Sequence, residues 1–253
     1  MMLGARTAAW AKSGGSMPTA KDYVQDGLVA MWDGIENAGW GVHDPNAMVW
    51  KDLVGSCHLR GYGSVVWEDD SWKANKDSDF YAPVSDAIIN AFDKTITIEA
   101  VQKFNADSTG YLFTVINYSY KARFVFVYAK KDAIYTLYKQ NAWVAPSLPF
   151  SPTPRYTISN IYDNQGHCDV YYNGLWLGST VTSPHLLSKN SQYVSIGNSY
   201  GDAARGVKNY KGNMNCVRFY NRALTAAEVA ANCAIDEARF GPIAVLNILD
   251  ARG

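Results

Sequence analysis

From residue 95 onward the chain is cut into short segments rich in β-branched and aromatic side chains, each followed by a polar turn. Residues 95–104 (TITIEAVQKF), 111–116, 123–128 (RFVFVY), 133–138 (AIYTLY), 155–162, 168–172 (CDVYY), 193–196 and 214–220 all fit this description, and residues 28–32 (LVAMW) form an earlier run ending at the turn Asp33-Gly34. Asn173-Gly174, between CDVYY and LWLGS, is the strongest hairpin signal, because a tight hairpin turn needs positive φ at both central residues. Strands linked by short polar turns predict an antiparallel sandwich rather than alternating β-α units.

One helix is legible near the end. Thr225-Ala226-Ala227-Glu228 fits a capping box, Val229, Ala230, Cys233 and Ala234 give an apolar stripe at helical spacing, and Gly241-Pro242 supplies a stop. Residues 36–76, punctuated by Gly39, Gly41, Pro45, Gly55, Gly61 and Gly63, read as a long irregular stretch. Residues 1–21, rich in Ala, Gly and Ser and closed by Pro18, read as a leader or docking segment. Residues 22–240 read as the folded domain, and 241–253 as a tail whose apolar part, 243–249, is expected to add an edge strand or cover a sheet.

Composition narrows the function classes. Hydrophobic residues at 48% against 18% charged support a packed core. With 23 Lys+Arg against 23 Asp+Glu, the basic excess of a general nucleic-acid binder is missing. No 18-residue apolar window exists, so membrane insertion is not expected, and the first residues lack the apolar stretch of a secretory signal. Cys57, Cys168, Cys216 and Cys233 are too scattered for a zinc or redox motif. They read as buried thiols, with one or two disulfides left open for a protein working outside a cell.

Residues 26–34 (DGLVAMWDG) resemble the opening strand of the laminin-G-like branch of the concanavalin A-like lectin/glucanase superfamily, and residues 210–240 (YKGNMNCVRFYNRALTAAEVAANCAIDEARF) resemble its closing strand and helix. TITIEAVQKF, the pair of runs ending in Tyr172-Asn173-Gly174, and VSIGNSY (194–200) agree more loosely. The resemblance covers residues 22–240 and implies an all-β fold: a concanavalin A-like jelly-roll sandwich of two antiparallel sheets with one short C-terminal helix. The leader MLGARTAAWAKSGG and the phrase YVQDGLVAMWDGIENAGWGVHDP are similar to modular proteins of gut bacteria and their phages or prophages. That likeness implies a virion-associated or surface-presented protein without a signal peptide, with a cytoplasmic location as the alternative.

The resemblance does not by itself choose an activity. Glucanases of this scaffold carry Glu-x-Asp-x-x-Glu on one strand, which sets a nucleophile and an acid/base carboxyl on the same face. Only five Glu occur, and the nearest match, Glu68-Asp69-Asp70-Ser71-Trp72-Lys73, ends in a lysine that cannot shuttle the required proton. G-x-S-x-G, H-E-x-x-H and a phosphate-cradling Gly-rich loop are absent, and His43, His58, His167 and His185 form no pattern. The resemblance further implies a calcium site between the opening and closing strands, where Asp33 and Asn215 stand at ligand positions.

Sugar recognition asks for flat aromatic faces beside planar amides and carboxylates. Five segments mix these types, giving Trp40, His43, Asp44, Trp72, Tyr118, Tyr120, Trp143, Asn198, Tyr200 and Arg205 as candidate ligand-binding residues. Trp32, Trp50, Tyr172 and Phe219 are assigned to the core. The resulting expectation is a non-catalytic module recognising glycans on a bacterial or host surface as part of a phage-like structural protein. A structural virion decoration or protein-interaction domain, with other surface proteins as partners, is the alternative, and a divergent glycoside hydrolase the second. Self-association is left open.

Overall fold

A computed structural model describes residues 16–75, 77–105, 110–117, 122–125, 128–130, 133–137, 143–149, 155–163, 165–181, 193–197 and 210–243. Their strands are Leu28–Asp33 (β1), Val49–Trp50 (β2), Leu59–Gly63 (β3), Trp67–Glu68 (β4), Ser71–Ala74 (β5), Ser78–Pro83 (β6), Ile96–Phe104 (β7), Gly110–Tyr111 (β8), Phe113–Asn117 (β9), Ala122–Val125 (β10), Tyr128–Lys130 (β11), Ala133–Leu137 (β12), Trp143–Pro149 (β13), Tyr156–Tyr162 (β14), His167–Tyr172 (β15), Leu175–Val181 (β16), Tyr193–Ile196 (β17) and Gly212–Tyr220 (β18). Two α-helices, Asp86–Ala91 (α1) and Ala226–Phe240 (α2), complete the set with a 3₁₀ turn at Ala20–Asp22.

An eight-stranded sheet runs β16-β15-β14-β7-β18-β5-β4, with β1 also paired to β18, and a six-stranded sheet runs β10-β9-β17-β6-β3-β2. β13-β12-β11-β8 form a smaller third sheet. Every strand pair is antiparallel. Ile98, Ala100 and Val217 of the large sheet share one apolar core with Phe80, Phe113 and Val194 of the six-stranded sheet, so the two stack face to face as the expected sandwich.

Tryptophan dominates that core. Trp50 lies edge-on to Trp67 (5.1 Å between centroids) and to Phe80 (5.4 Å), and Trp72 meets Phe80 at 5.1 Å. The indole N–H groups of Trp32, Trp50 and Trp67 each donate at 2.9 Å to a carbonyl, of Cys57, Asp33 and Ala47 respectively. These three indoles thus satisfy their polar edge while tying the segments before β2 and β3 to the core. Gly197, at φ 89°, lies so close to the Trp72 ring that a Cβ there would strike it.

The outer face of the large sheet sets a buried polar network within a second apolar cluster that includes Val101, Ile161 and Tyr220. In register, Ser159, Glu99 and Arg218 lie side by side across β14, β7 and β18, and α2 covers them. Arg218 is fully buried. Its Nε donates to Glu99 at 2.9 Å, and its terminal nitrogens fork onto Asp236 of α2 at 2.6 and 2.8 Å. Asn232 of α2 donates to Glu99 at 2.7 Å, Ser159 donates to it at 2.9 Å, and Tyr23 donates to Asp236 at 2.7 Å with its ring 4.0 Å from the Arg218 guanidinium. An isolated charge would be costly there; one guanidinium serves two carboxyl groups, further hydrogen bonds complete the network, and burial pushes the Glu99 carboxyl up against the pull of Arg218.

The two clearest sequence signals pack against each other. Asn173 and Gly174 take φ 50° and 78° in the β15–β16 turn, and a Cβ on Gly174 would sit 3.1 Å from Cβ of Cys233 in α2. The capping box of α2 is formed, with Thr225 accepting from the Glu228 amide at 3.3 Å and Glu228 accepting from the Thr225 amide at 2.8 Å. Trp32, Trp50, Tyr172 and Phe219 are buried as assigned.

Residues 36–76 depart from the reading as irregular: they hold β2 to β5. Two of these strands are only two residues long, and Gly61 and Gly63 interrupt β3, so no run reaches the length that marks a strand. β13 escaped because Pro146 and Pro149 lie within it. Residues 16–21 join the packed body. Thr19 and Asp22 cap the 3₁₀ turn, and Ala20 is buried with its amide donating to Glu36 at 3.2 Å. Ile243 makes an isolated parallel bridge to Arg155, and the rest of the tail lies outside the described residues.

Replacing Arg218 with Met strands Glu99 and Asp236 without their cation, so urea unfolding should report a loss of about 3–5 kcal/mol. Adding Glu99→Gln and Asp236→Asn to that variant should restore part of it. Glu228, held by the Thr225 amide and by Arg222 at 2.6 and 3.0 Å, ionises at about 2 instead of its ordinary 4.5. A lowered folded pKa gives stability that is complete above 4.5 and lost as pH falls toward 2. Glu228→Gln should therefore flatten the acid limb of a melting-temperature profile in that window and leave its neutral-to-alkaline slope unchanged.

Candidate functional surface

The two outer faces of the sandwich differ: α2 covers the large sheet, whereas the six-stranded sheet carries a partly open polar and aromatic face. Its composition follows from strand alternation. Leu59, Phe80, Val194 and Ile196 point into the core, so Arg60 and Tyr62 of β3, Tyr81 of β6 and Tyr193 of β17 point outward. Register sets Arg60 opposite Tyr81 and opposite Val49, Tyr62 opposite Asp79, and Tyr81 opposite Ser195. Tyr62 is 49% exposed, Arg60 is exposed, and Tyr81 and Tyr193 are half-buried. Farther across, Ser195 and Thr114 are buried and joined by a 2.8 Å hydrogen bond, and Asp79 is buried and engaged. Aromatic faces beside a guanidinium and hydroxyls can take up a ring with an apolar side and a polar rim.

None of these four residues stood among the sequence candidates. The available signal was the alternation Leu59-Arg60-Gly61-Tyr62 followed by Phe80-Tyr81-Ala82, hidden because the glycines made β3 read as a loop.

Of the candidates, Trp40, His43, Asp44 and Trp72 have described side chains. Trp40, His43 and Asp44 share one loop. Trp40 is 39% exposed with Lys21 Nζ 5.3 Å from its ring centre, and His43 Nδ1 lies 3.0 Å from the Gly34 carbonyl oxygen. Asp44 exchanges backbone hydrogen bonds with the buried Asn37 side chain at 2.8 and 2.9 Å. Trp72 is corrected: it is fully buried against Trp50 and Phe80, because Ser71–Ala74 is a strand whose inner face it occupies, so no ligand reaches its ring. Of Trp143 only the backbone, the first residue of β13, is described. Tyr118, Tyr120, Asn198, Tyr200 and Arg205 lie outside the described residues.

Asp33 and Asn215 do not fit a calcium site. Both Asp33 carboxylate oxygens face the Arg239 guanidinium, at 2.5 and 3.2 Å, and one also accepts the Ile35 and Glu36 amides. A guanidinium thus fills the place a cation would need. Burial pushes the Asp33 carboxyl up, with Arg239 pulling the other way. Asn215 sits where the β18–β7 register shifts, accepting from Arg155 at 3.0 Å and donating to the Asp70 carbonyl at 3.0 Å. Among the described residues no group of three or more His, Cys, Asp or Glu is arranged to hold a metal ion.

The acidic cluster at the β4–β5 turn is held by cations: Glu68 pairs with Lys73 at 3.1 Å and accepts from Asn213 at 2.7 Å, and Asp70 pairs with Arg155 at 2.7 Å. All four cysteines are free and buried, and burial pushes the thiols of Cys57 and Cys233 up to about 12 and those of Cys168 and Cys216 upward as well. None is a nucleophile in the folded state.

A laminin-G-type family model, described as the concanavalin A-like lectin/glucanases superfamily, matches residues 76–230. No curated protein sequence matches. Among solved structures, the chain is similar to Trypanosoma rangeli sialidase in complex with sialic acid, at 16% identity and a TM-score of 0.60, covering 90% of this chain and 35% of the sialidase. It is also similar to botulinum neurotoxin type C, in a structure whose description ties cell entry to two ganglioside molecules, at 11% identity and a TM-score of 0.60, covering 82% of this chain and 51% of the toxin chain. The chain therefore spans about a third to a half of these neighbours. At such identities the likeness carries the fold alone.

The thiol assignment is directly measurable. At about pH 8 a disulfide-exchange reagent should leave the native protein unlabelled and modify all four cysteines once it is denatured. Rapid labelling of Cys57 or Cys233 in the native state would contradict the burial described.

Proposed function

This chain belongs to the concanavalin A-like lectin/glucanases superfamily, and from that premise we propose that it is a non-catalytic glycan-binding module whose contact surface is the outer face of the six-stranded sheet. The observation that carries the reading is the placement of Tyr62, Tyr81 and Tyr193 on that one face, with Arg60 among them, while Leu59, Phe80, Ala82, Val194 and Ile196 of the same strands face the core. Tyrosine suits this role because its ring stacks on sugar C–H groups while its hydroxyl meets their oxygens. The structural neighbours described with sialic acid and gangliosides support the same class of partner.

Cation-held acids and unreactive thiols support the absence of catalysis. No described helix is long and apolar enough to cross a membrane. Presentation on a virion or bacterial surface belongs to the proposal on the likeness of residues 2–15 and 23–45 to phage-type modular proteins.

A glycan array followed by titration calorimetry tests the reading. Tyr62→Ala and Tyr81→Ala should each weaken the best ligand by roughly five- to tenfold, equivalent to about 1 kcal/mol, without lowering the melting temperature by more than a few degrees. Trp40→Ala should leave affinity unchanged. The reading fails if the wild-type protein retains no glycan, or if binding survives both tyrosine substitutions intact.

A further inference from the structure

Five arginines have described side chains, and four are ion-paired: Arg155 with Asp70, Arg218 with Glu99 and Asp236, Arg222 with Asp26 and Glu228, and Arg239 with Asp33 and Glu36. Arg60 is the exception. It is exposed and, among the described residues, its guanidinium makes no ion pair or hydrogen bond. Its surroundings are set by register: Val49 and Tyr81 lie directly across on either side, and Tyr62 follows two residues on along the same face. The described carboxylate of this face, Asp79, stands opposite Tyr62 rather than Arg60, is buried and is already engaged.

An unspent guanidinium bordered by two tyrosines and a valine is a binding arrangement for one kind of group. The flat fork presents two parallel N–H donors spaced for the oxygens of a planar carboxylate, and the flanking rings accept the apolar side of the ring bearing it. A neutral sugar uses the rings and leaves the charge idle. We propose that the glycan recognised on this face carries a sugar acid, with Arg60 pairing bidentately with its carboxylate while Tyr62 and Tyr81 pack against the ring. This rests on the glycan-binding reading and adds the chemical class of the ligand.

The test uses the full chain and paired oligosaccharides that differ in one acidic sugar. Sialyllactose with lactose makes one pair, and a uronic-acid oligomer with its neutral counterpart makes another. At least one acidic member should bind about tenfold tighter than its neutral partner, and the preference should shrink as salt is raised. Arg60→Gln should abolish the preference, bringing the acidic member to the affinity of its neutral partner. Arg60→Lys should recover only part of it, because an ammonium cannot form the fork. Arg60 is exposed, so both variants should melt with the wild type. Equal affinity for acidic and neutral members, or a preference that survives Arg60→Gln, overturns the sugar-acid assignment and leaves glycan binding standing. Tighter binding of sulfated than of sialylated lactose also overturns it, in favour of a tetrahedral anion. Absence of binding to every glycan overturns both readings together.

Discussion

The buried guanidinium of Arg218 is the constraint around which the large sheet, α2 and the N-terminal segment are arranged. Removing such a charge from water costs several kcal/mol unless partners replace the lost hydration, and here each partner comes from a different part of the chain. Glu99 comes from the neighbouring strand, Asp236 from the helix, and the ring of Tyr23 from the segment before β1. The network acts mainly on arrangement. A one-residue slip of β18 against β7 would turn Arg218 into the layer occupied by Val217 and Phe219 and leave Glu99 facing apolar groups. Arg239, bound to Asp33 and Glu36, repeats the device three residues farther along α2, in its last turn.

How far the sequence revealed this depended on the length of each element. β7, β14, β15, β18 and α2 were legible because each holds six or more residues of unbroken pattern, and because Asn173-Gly174 and the Thr225–Glu228 box are local devices acting within four residues. β2 to β5 were not. Their strand character comes from what lies beneath them, with Trp50, Trp67 and Trp72 driven inward by the core rather than announced by alternation. The buried ion network was equally silent. Nothing local to Arg218 distinguishes it from a surface arginine, since its partners lie 119 residues before and 18 residues after it.

The same reasoning explains why Arg60, Tyr62, Tyr81 and Tyr193 do not stand out in the sequence. Aromatic residues beside polar ones read as loop residues, which holds for Trp40, His43 and Asp44 but fails for Trp72, where the indole is the inward half of a strand. The face carrying Arg60, Tyr62, Tyr81 and Tyr193 is assembled from three strands separated in sequence, so only pairing register brings its members together. Asp33 shows the complementary limit. Its position beside the closing strand follows the family resemblance, yet the cation it meets is Arg239, supplied by the end of a helix more than 200 residues downstream.

The clasp of Tyr23 on Arg218 and Asp236 also fixes how the domain is held. Residues 16–23 come in beneath α2, on the far side of the sandwich from Arg60 and Tyr62. Were the domain anchored from this side, the load would enter at the back of the sandwich and the opposite face would point outward. Copies mounted side by side on one support would all look the same way. Weak individual contacts could then add through avidity, since neighbouring copies see a high effective concentration of a polymeric target.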